Sequence, residues 1–202
     1  MEALLAFAAA LVTLRLAGLL VRRFRARRSP ELAAWAASLT AYALATGALA
    51  WGSAAGWDAK SFRVYYLCGG LLTAPLLGLG SLLLNRRAWA APLALVYSGL
   101  AAGVALAEPL SAPIGGTSIP EAQAHLDLLP ARLLAIVANS LGTLAVIAVA
   151  LMTYRRRRLG NALVLAGVLV AAAGSALAGL GAAETSAFVA AAAVLLYLGI
   201  TR

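Results

Sequence analysis

Long apolar segments alternate with short polar ones along the whole chain. A transmembrane helix needs about 20 predominantly apolar residues, and seven segments meet this length. They lie at about 3–21, 31–51, 63–84, 88–107, 129–153, 161–181 and 184–201. The pattern predicts an all-α, polytopic membrane protein in which residues 1–202 form a single domain of seven transmembrane helices.

Most basic residues lie in short segments that directly follow apolar ones. Twelve of the arginines belong to three clusters and the C-terminus: Arg22, Arg23, Arg25, Arg27 and Arg28; Arg86 and Arg87; Arg155, Arg156, Arg157 and Arg158; and Arg202. Seven alternating spans place all of them on one side, together with a single acid, Glu31. Six or eight spans would separate the clusters.

The charge asymmetry predicts an orientation. The side opposite the arginine clusters carries Lys60, Arg63 and Arg132 together with most of the acids: Glu2, Asp58, Glu108, Glu121, Asp127 and Glu184. Short loops rich in Lys and Arg stay in the cytoplasm. We therefore expect the N-terminus outside, the C-terminus in the cytoplasm, and a multi-pass protein of the inner (plasma) membrane.

Composition supports a membrane protein and argues against a nucleic-acid partner. The chain is 63% hydrophobic and 11% charged, whereas soluble domains carry about 25% charged residues. Its net charge of +9 comes from arginines between membrane-length segments rather than from a basic face of a soluble fold. Anionic lipid headgroups are the expected partners of Arg22, Arg23 and Arg155–Arg158, at about 1 kcal/mol per basic residue.

The predicted spans contain almost no ionisable chemistry. The chain has one histidine, His125, and one cysteine, Cys68, and no acid lies within a span. Paired catalytic groups and metal-ligand spacings are therefore missing, and we predict a protein that is not an enzyme and has no cofactor or metal site. The lack of an intramembrane acid also argues against ion-coupled transport.

A few polar residues within the spans are candidates for ligand binding. Arg15 is the only charge inside a span; it either contacts a ligand or, as we favour, extends its side chain to the headgroups. An uncharged pocket is conceivable among Tyr42, Thr73, Tyr97, Asn139 and Ser140. The favoured alternative for each of these residues is a hydrogen bond between helices.

Two pairs of glycines, one proline and one loop lead to further structural predictions. Gly99 and Gly103, and Gly167 and Gly174, have the spacing of close helix contacts, either within the bundle, as we favour, or between protomers. Pro75 should kink the third span by freeing the carbonyl of Leu71. The loop 108–128 should hold an irregular stretch and a short outer helix that begins with a capping box from Ser118 to Glu121.

Several short motifs resemble an uncharacterised seven-helix bacterial membrane family. They are Arg63-Val-Tyr-Tyr-Leu-Cys-Gly-Gly70 with Leu77-Gly-Leu-Gly-Ser81, Asn139-Ser-Leu-Gly142, and Asn161-Ala-Leu-Val-Leu-Ala-Gly167. The overall plan also resembles the N-terminal seven-helix sensor module of some histidine kinases. Since the sequence ends at Arg202, any signalling output is expected to come from a separate protein partner that docks on the basic loops.

Three functions remain open at this stage. The first is a sensor-like protein or accessory subunit that binds a neutral or apolar ligand, a lipid or a partner helix. The second is a small facilitator of neutral solutes, built from two three-helix repeats around a linker helix. The third is an enzyme acting on lipids at the membrane surface, which the lack of paired acids and bases makes the weakest.

Overall fold

The computed structural model describes residues 2–155, 158–179 and 185–201 as a bundle of helices, with no strand in these ranges. The long helices are α1 (Glu2–Arg27), α2 (Pro30–Ala55), α3 (Ala59–Leu84), α4 (Ala90–Ala107), α5 (Leu128–Met152), α6 (Arg158–Gly179) and α7 (Thr185–Thr201). The prediction of an all-α protein is confirmed for the described residues.

Helices α1 to α5 are long and apolar enough to cross a membrane. Five of the seven predicted spans thus have a matching helix of sufficient length. Helices α6 and α7 contain shorter apolar stretches, Arg158–Gly174 and Ala187–Gly199. The predicted boundary between these last two spans falls on residues 180–184, which lie outside the described residues.

Helix α1 extends well beyond its predicted end at residue 21. Its 26 residues correspond to about 39 Å of helix, against a hydrocarbon core of about 30 Å. Arginine is a good helix former, and basic residues in the last turn complement the helix dipole. The first arginine cluster is therefore helical as far as Arg27 and projects past the apolar zone, and Arg28, with φ of +51°, ends the helix.

The other boundaries shift by a few residues, each with a local cause. Helix α2 begins with Pro30 in its first turn, where a missing N–H costs nothing. Helix α3 begins four residues earlier than predicted because Asp58 and Ser61 form a reciprocal capping box. The hydrogen bonds from Ser61 lower the pKa of the Asp58 carboxyl, which keeps it charged beside the helix N-terminus.

Helix α3 lies at the centre of the bundle and is irregular in its middle. It packs against α2, α4 and α5, while α1 packs against α2 and α7, and α6 packs against α7. Between Tyr66 and Leu72 its backbone forms a π-helical segment, in which hydrogen bonds span five residues rather than four. The predicted irregularity near Pro75 is thus located one to two turns before the proline.

The bundle has two chemically different ends. At the arginine end, defined by Arg22–Arg28, Arg86, Arg87 and Arg155, α1, α3 and α5 finish and α2 and α4 begin. At the loop end, residues 108–127 cover the bundle. The short helix there is Ala122–His125 with Glu121 as its N-cap and no side-chain cap hydrogen bond, so the capping box predicted at Ser118 is corrected.

Candidate functional site

The π-helical segment of α3 gathers polar side chains from three neighbouring helices. Ser38 of α2 donates to the carbonyl of Thr73 at 2.6 Å. Tyr97 of α4 donates to the carbonyl of Leu71 at 2.6 Å. Asn139 of α5 donates to the carbonyl of Gly70 at 2.7 Å. We call this group the carbonyl cluster.

Backbone chemistry explains why the carbonyl cluster forms there. Pro75 has no N–H to give to the carbonyls four and five residues earlier, Leu71 and Gly70. The hydroxyl of Thr73 donates to the carbonyl of Cys68 at 2.7 Å, and its backbone N–H donates to the same oxygen. In a membrane interior, unsatisfied carbonyls must find donors within the protein. The side chains of Tyr97 and Asn139 supply them.

The residues predicted to form a pocket do not line a common cavity, and four of them donate to backbone carbonyls instead: Tyr42, Thr73, Tyr97 and Asn139. Tyr42 donates to the carbonyl of Val189 on α7 at 3.0 Å. Ser140 is exposed on α5. The guanidinium of Arg15 lies 6.0 Å from the centre of the Tyr197 ring, a cation–π distance. None of these residues, and none of Thr73, Tyr97 and Asn139, lines either of the two cavities described below.

The predicted glycine contacts divide into two groups. A Cβ on Gly167 would lie 3.1 Å from Cγ of Leu196, and one on Gly174 would lie 2.6 Å from Cβ of Phe188, so both glycines pack against α7. Gly99 and Gly103 are exposed, and a Cβ there would meet no described atom within 4 Å. The contact predicted within the bundle at these two glycines is thus corrected, because α4 turns this face outward.

One cavity opens at the arginine end and has a volume of about 770 Å³. Its lining comes from six helices, and none of it comes from α4. Apolar side chains form much of its wall: Leu20, Trp35, Leu77, Val146, Val149 and Leu196. It therefore lies between the first three helices and the last three, and we call it the inter-half cavity.

The polar lining of the inter-half cavity is mainly basic and neutral. Arg23 and Arg27, one helical turn apart on α1, both line it, and Glu31 is the only acid that the described part of the chain contributes. Asn161 also lines it and donates to the hydroxyl of Thr153 at 2.9 Å. The indole N–H of Trp35 does not belong to this polar lining, because it is inaccessible, lies close to Gly80 and has no hydrogen-bond partner among the described residues. An apolar body with an anionic or hydrogen-bond-accepting head matches this lining.

The predicted lipid-contacting arginines that the structure describes are all exposed at the arginine end: Arg22, Arg23, Arg155 and Arg158. Arg23 also lines the inter-half cavity. Arg156 and Arg157 lie outside the described residues. Sequence reasoning did not identify Arg27, Trp35 or Asn161 as site residues. The four-residue spacing of Arg23 and Arg27 was the available signal, but its use required knowing that α1 remains helical to Arg27.

Comparison of the chain with protein-family models, with curated proteins and with solved structures gives no match. The resemblance to a sensor module therefore stays a prediction, and the candidate site has to be interpreted from its own geometry.

Proposed function

We propose that this chain is a seven-helix, multi-pass protein of the plasma membrane that binds an amphiphilic ligand in the inter-half cavity, as a sensor-like protein or an accessory subunit. In this proposal α6 and α7 also cross the membrane. The arginine end faces the cytoplasm because it carries more Arg and Lys than the loop end. The observation that carries the proposal is the cavity of about 770 Å³ with apolar walls and Arg23 and Arg27 in its lining.

The arrangement suits binding better than a covalent reaction. Among the described residues, the carboxylate of Glu31 is the only acidic group in the lining, and neither His125 nor Cys68 contributes to it. Nucleophilic catalysis requires a nucleophile and a base within hydrogen-bond reach. Apolar walls with a few polar groups near one end are instead typical of ligand sites, in which the polar groups orient the ligand.

A facilitator is the second candidate, and one specific observation favours it. Helix α4 packs mainly against α3 and contributes nothing to the cavity lining. This is the position expected of a linker helix between two three-helix repeats. Transport would require the packed cluster around Phe62, Tyr66 and Leu71 at the loop end to open in a second conformation.

A fluorescent fatty acid tests the binding proposal. The full chain is reconstituted in phosphatidylcholine nanodiscs and titrated with a dansyl-labelled long-chain fatty acid, and energy transfer from tryptophan to dansyl is recorded. We expect saturable binding, and the uncharged methyl ester should bind about tenfold or more weakly, since each basic residue contributes about 1 kcal/mol. The Trp35→Phe variant should lose most of the transfer, whereas Trp51→Phe, which removes a 66% exposed indole outside the cavity, should not.

Two arginine variants provide the matched control. Arg23→Gln with Arg27→Gln should weaken binding of the fatty acid about tenfold, because both side chains line the cavity. Arg25→Gln with Arg28→Gln removes the same charge from the same helix outside this cavity and should change the affinity little. Equal effects of the two pairs, or no saturable binding, would refute the site. Flux of an uncharged solute such as glycerol into proteoliposomes would favour the facilitator instead.

A further inference from the structure

A second concavity lies on the outside of the bundle, separate from the inter-half cavity. It has a volume of about 760 Å³ and follows one face of α2, between the last turns of α1 and the middle of α3. Small residues of α2, including Ala33 and Ala37, line it, and Cys68 and Leu72 contribute from α3. We call it the lateral groove.

The lateral groove has the length of one membrane leaflet. Along α2 its lining runs from Ala33 to Leu44, which corresponds to about 16 Å at 1.5 Å per residue. Half of the hydrocarbon core of a bilayer is about 15 Å. A spanning partner helix would need a contact surface through the whole bilayer, whereas this groove is matched to a chain that enters from one side only.

Its charged end is basic. Arg25 and Arg28 line the groove near the start of α2 and are both exposed, and no Asp or Glu of the described residues is part of the lining. The Arg28 guanidinium lies 5.8 Å from the centre of the Phe24 ring, which holds it beside the groove. Arginine donates in a fork that matches the oxygens of a phosphate group.

Helix α1 divides its arginines between two faces. Arg23 and Arg27 line the inter-half cavity, whereas Arg25 and Arg28 line the lateral groove. We infer that the lateral groove binds an anionic phospholipid of the leaflet at the arginine end. One acyl chain lies along α2 from Ala33 to Leu44, and the phosphate binds Arg25 and Arg28. This inference does not depend on the proposed function of the inter-half cavity.

Lipid retention and crosslinking test the inference. The full chain is placed in nanodiscs that contain equal amounts of phosphatidylglycerol and phosphatidylcholine, extracted gently, and analysed by native mass spectrometry. We expect retained phosphatidylglycerol to exceed phosphatidylcholine about tenfold or more, from about 1 kcal/mol for each of two arginines. Phosphatidylglycerol with a diazirine in one acyl chain should crosslink preferentially within Ala37–Leu44 and at Cys68 or Leu72.

Matched variants identify the site. Arg25→Gln with Arg28→Gln should abolish the preference for phosphatidylglycerol. Arg86→Gln with Arg87→Gln removes the same charge from exposed positions at the arginine end outside both cavities and should preserve it. Ala37→Trp fills the groove without removing charge and should suppress the crosslinks, whereas Leu95→Trp, at a 78% exposed position on α4, should not. If the variant with both arginines replaced does not fold, Ala37→Trp still tests whether the lateral groove is the lipid site.

Three outcomes would overturn the inference. The first is an equal loss of phosphatidylglycerol in both arginine pairs. The second is an even distribution of crosslinks over the exposed faces of the bundle, including that of α4. The third is a co-purified membrane peptide crosslinked along Ala37–Leu44, which would identify a partner helix as the occupant.

Discussion

The side-chain amide of Asn139 donates a hydrogen bond to the backbone carbonyl of Gly70, 2.7 Å away, where α3 departs from regular α-helical geometry. The two residues are far apart in sequence, so this bond fixes α5 against the central helix. Tyr97 does the same for α4 through the carbonyl of Leu71. These polar groups of the bundle interior thus hold neighbouring helices together.

Replacing Asn139 with leucine should destabilise the bundle. The substitution removes the donor to Gly70 and leaves that carbonyl unsatisfied, and hydrogen bonds between membrane helices contribute about 0.6 kcal/mol on average and up to about 1.7 kcal/mol. We expect a loss of about 1 kcal/mol in the free energy of unfolding, measured by titration with sodium dodecyl sulfate. Ser140→Leu, at the adjacent exposed position, is the control and should change it little. Equal losses of unfolding free energy in the two variants would show that Asn139 has no special role in stability.

Gly142→Ala should disrupt the contact between α5 and α3. A Cβ at this position would lie 2.5 Å from the carbonyl oxygen of Ala74 and 2.8 Å from Cα of Pro75. Both are backbone atoms, so the two helices would have to separate, and overpacking typically costs about 1–3 kcal/mol. Gly99→Ala meets no described atom within 4 Å and should be neutral or slightly stabilising. Thermal unfolding in detergent compares the two variants directly.

A double-mutant cycle between Tyr97 and Pro75 tests why the carbonyl cluster exists. Tyr97→Phe should destabilise the protein because the carbonyl of Leu71 loses its donor. Pro75→Ala restores a backbone N–H that can reach the same carbonyl. The cost of Tyr97→Phe should therefore be smaller in the Pro75→Ala background by about 0.5 kcal/mol or more, a typical coupling for residues that share a partner. Strict additivity of the two unfolding free energies would show that the proline and the tyrosine act independently.

Periodicity and charge predicted much of the architecture because both act locally. Segment length and hydropathy predicted the helices that match the spans from 31–51 to 129–153, and Pro75 predicted an irregular α3. The pairing of Asn139 with Gly70 is not predictable in this way, because it depends on which helices become neighbours. The separation of the arginines near the end of α1 into two groups was missed for a different reason, because it requires α1 to remain helical to Arg27.

The loop end offers a test of a helix cap supplied by another helix. The guanidinium of Arg63, in the first turns of α3, donates to the carbonyls of Ala105, Leu106 and Glu108. These carbonyls belong to the last turn of α4 and its end, where the helix leaves acceptors unsatisfied. Arg63→Gln should lower the free energy of unfolding by about 1–2 kcal/mol, and faster amide hydrogen exchange should be confined to the end of α4. Lys60→Gln removes the same charge from an exposed site on the same helix and should affect neither quantity.

The orientation of the bundle can be tested by neutralising the third arginine cluster. Glutamine at positions 155–158 should leave the topology unchanged, because the five arginines after the first span still retain that end in the cytoplasm. Cysteines introduced one at a time in a Cys68→Ala background report which side of the membrane each position faces. Thr117→Cys in the outer loop and Glu184→Cys between the last two spans should react with an impermeant maleimide in intact cells, whereas Ala88→Cys should react only after permeabilisation.

The control, in which Arg22, Arg23, Arg25, Arg27 and Arg28 are neutralised instead, should give mixed labelling. If Glu184→Cys became protected in the first variant, the third cluster would itself be orienting α6 and α7, and the dominance assigned to the first cluster would be wrong.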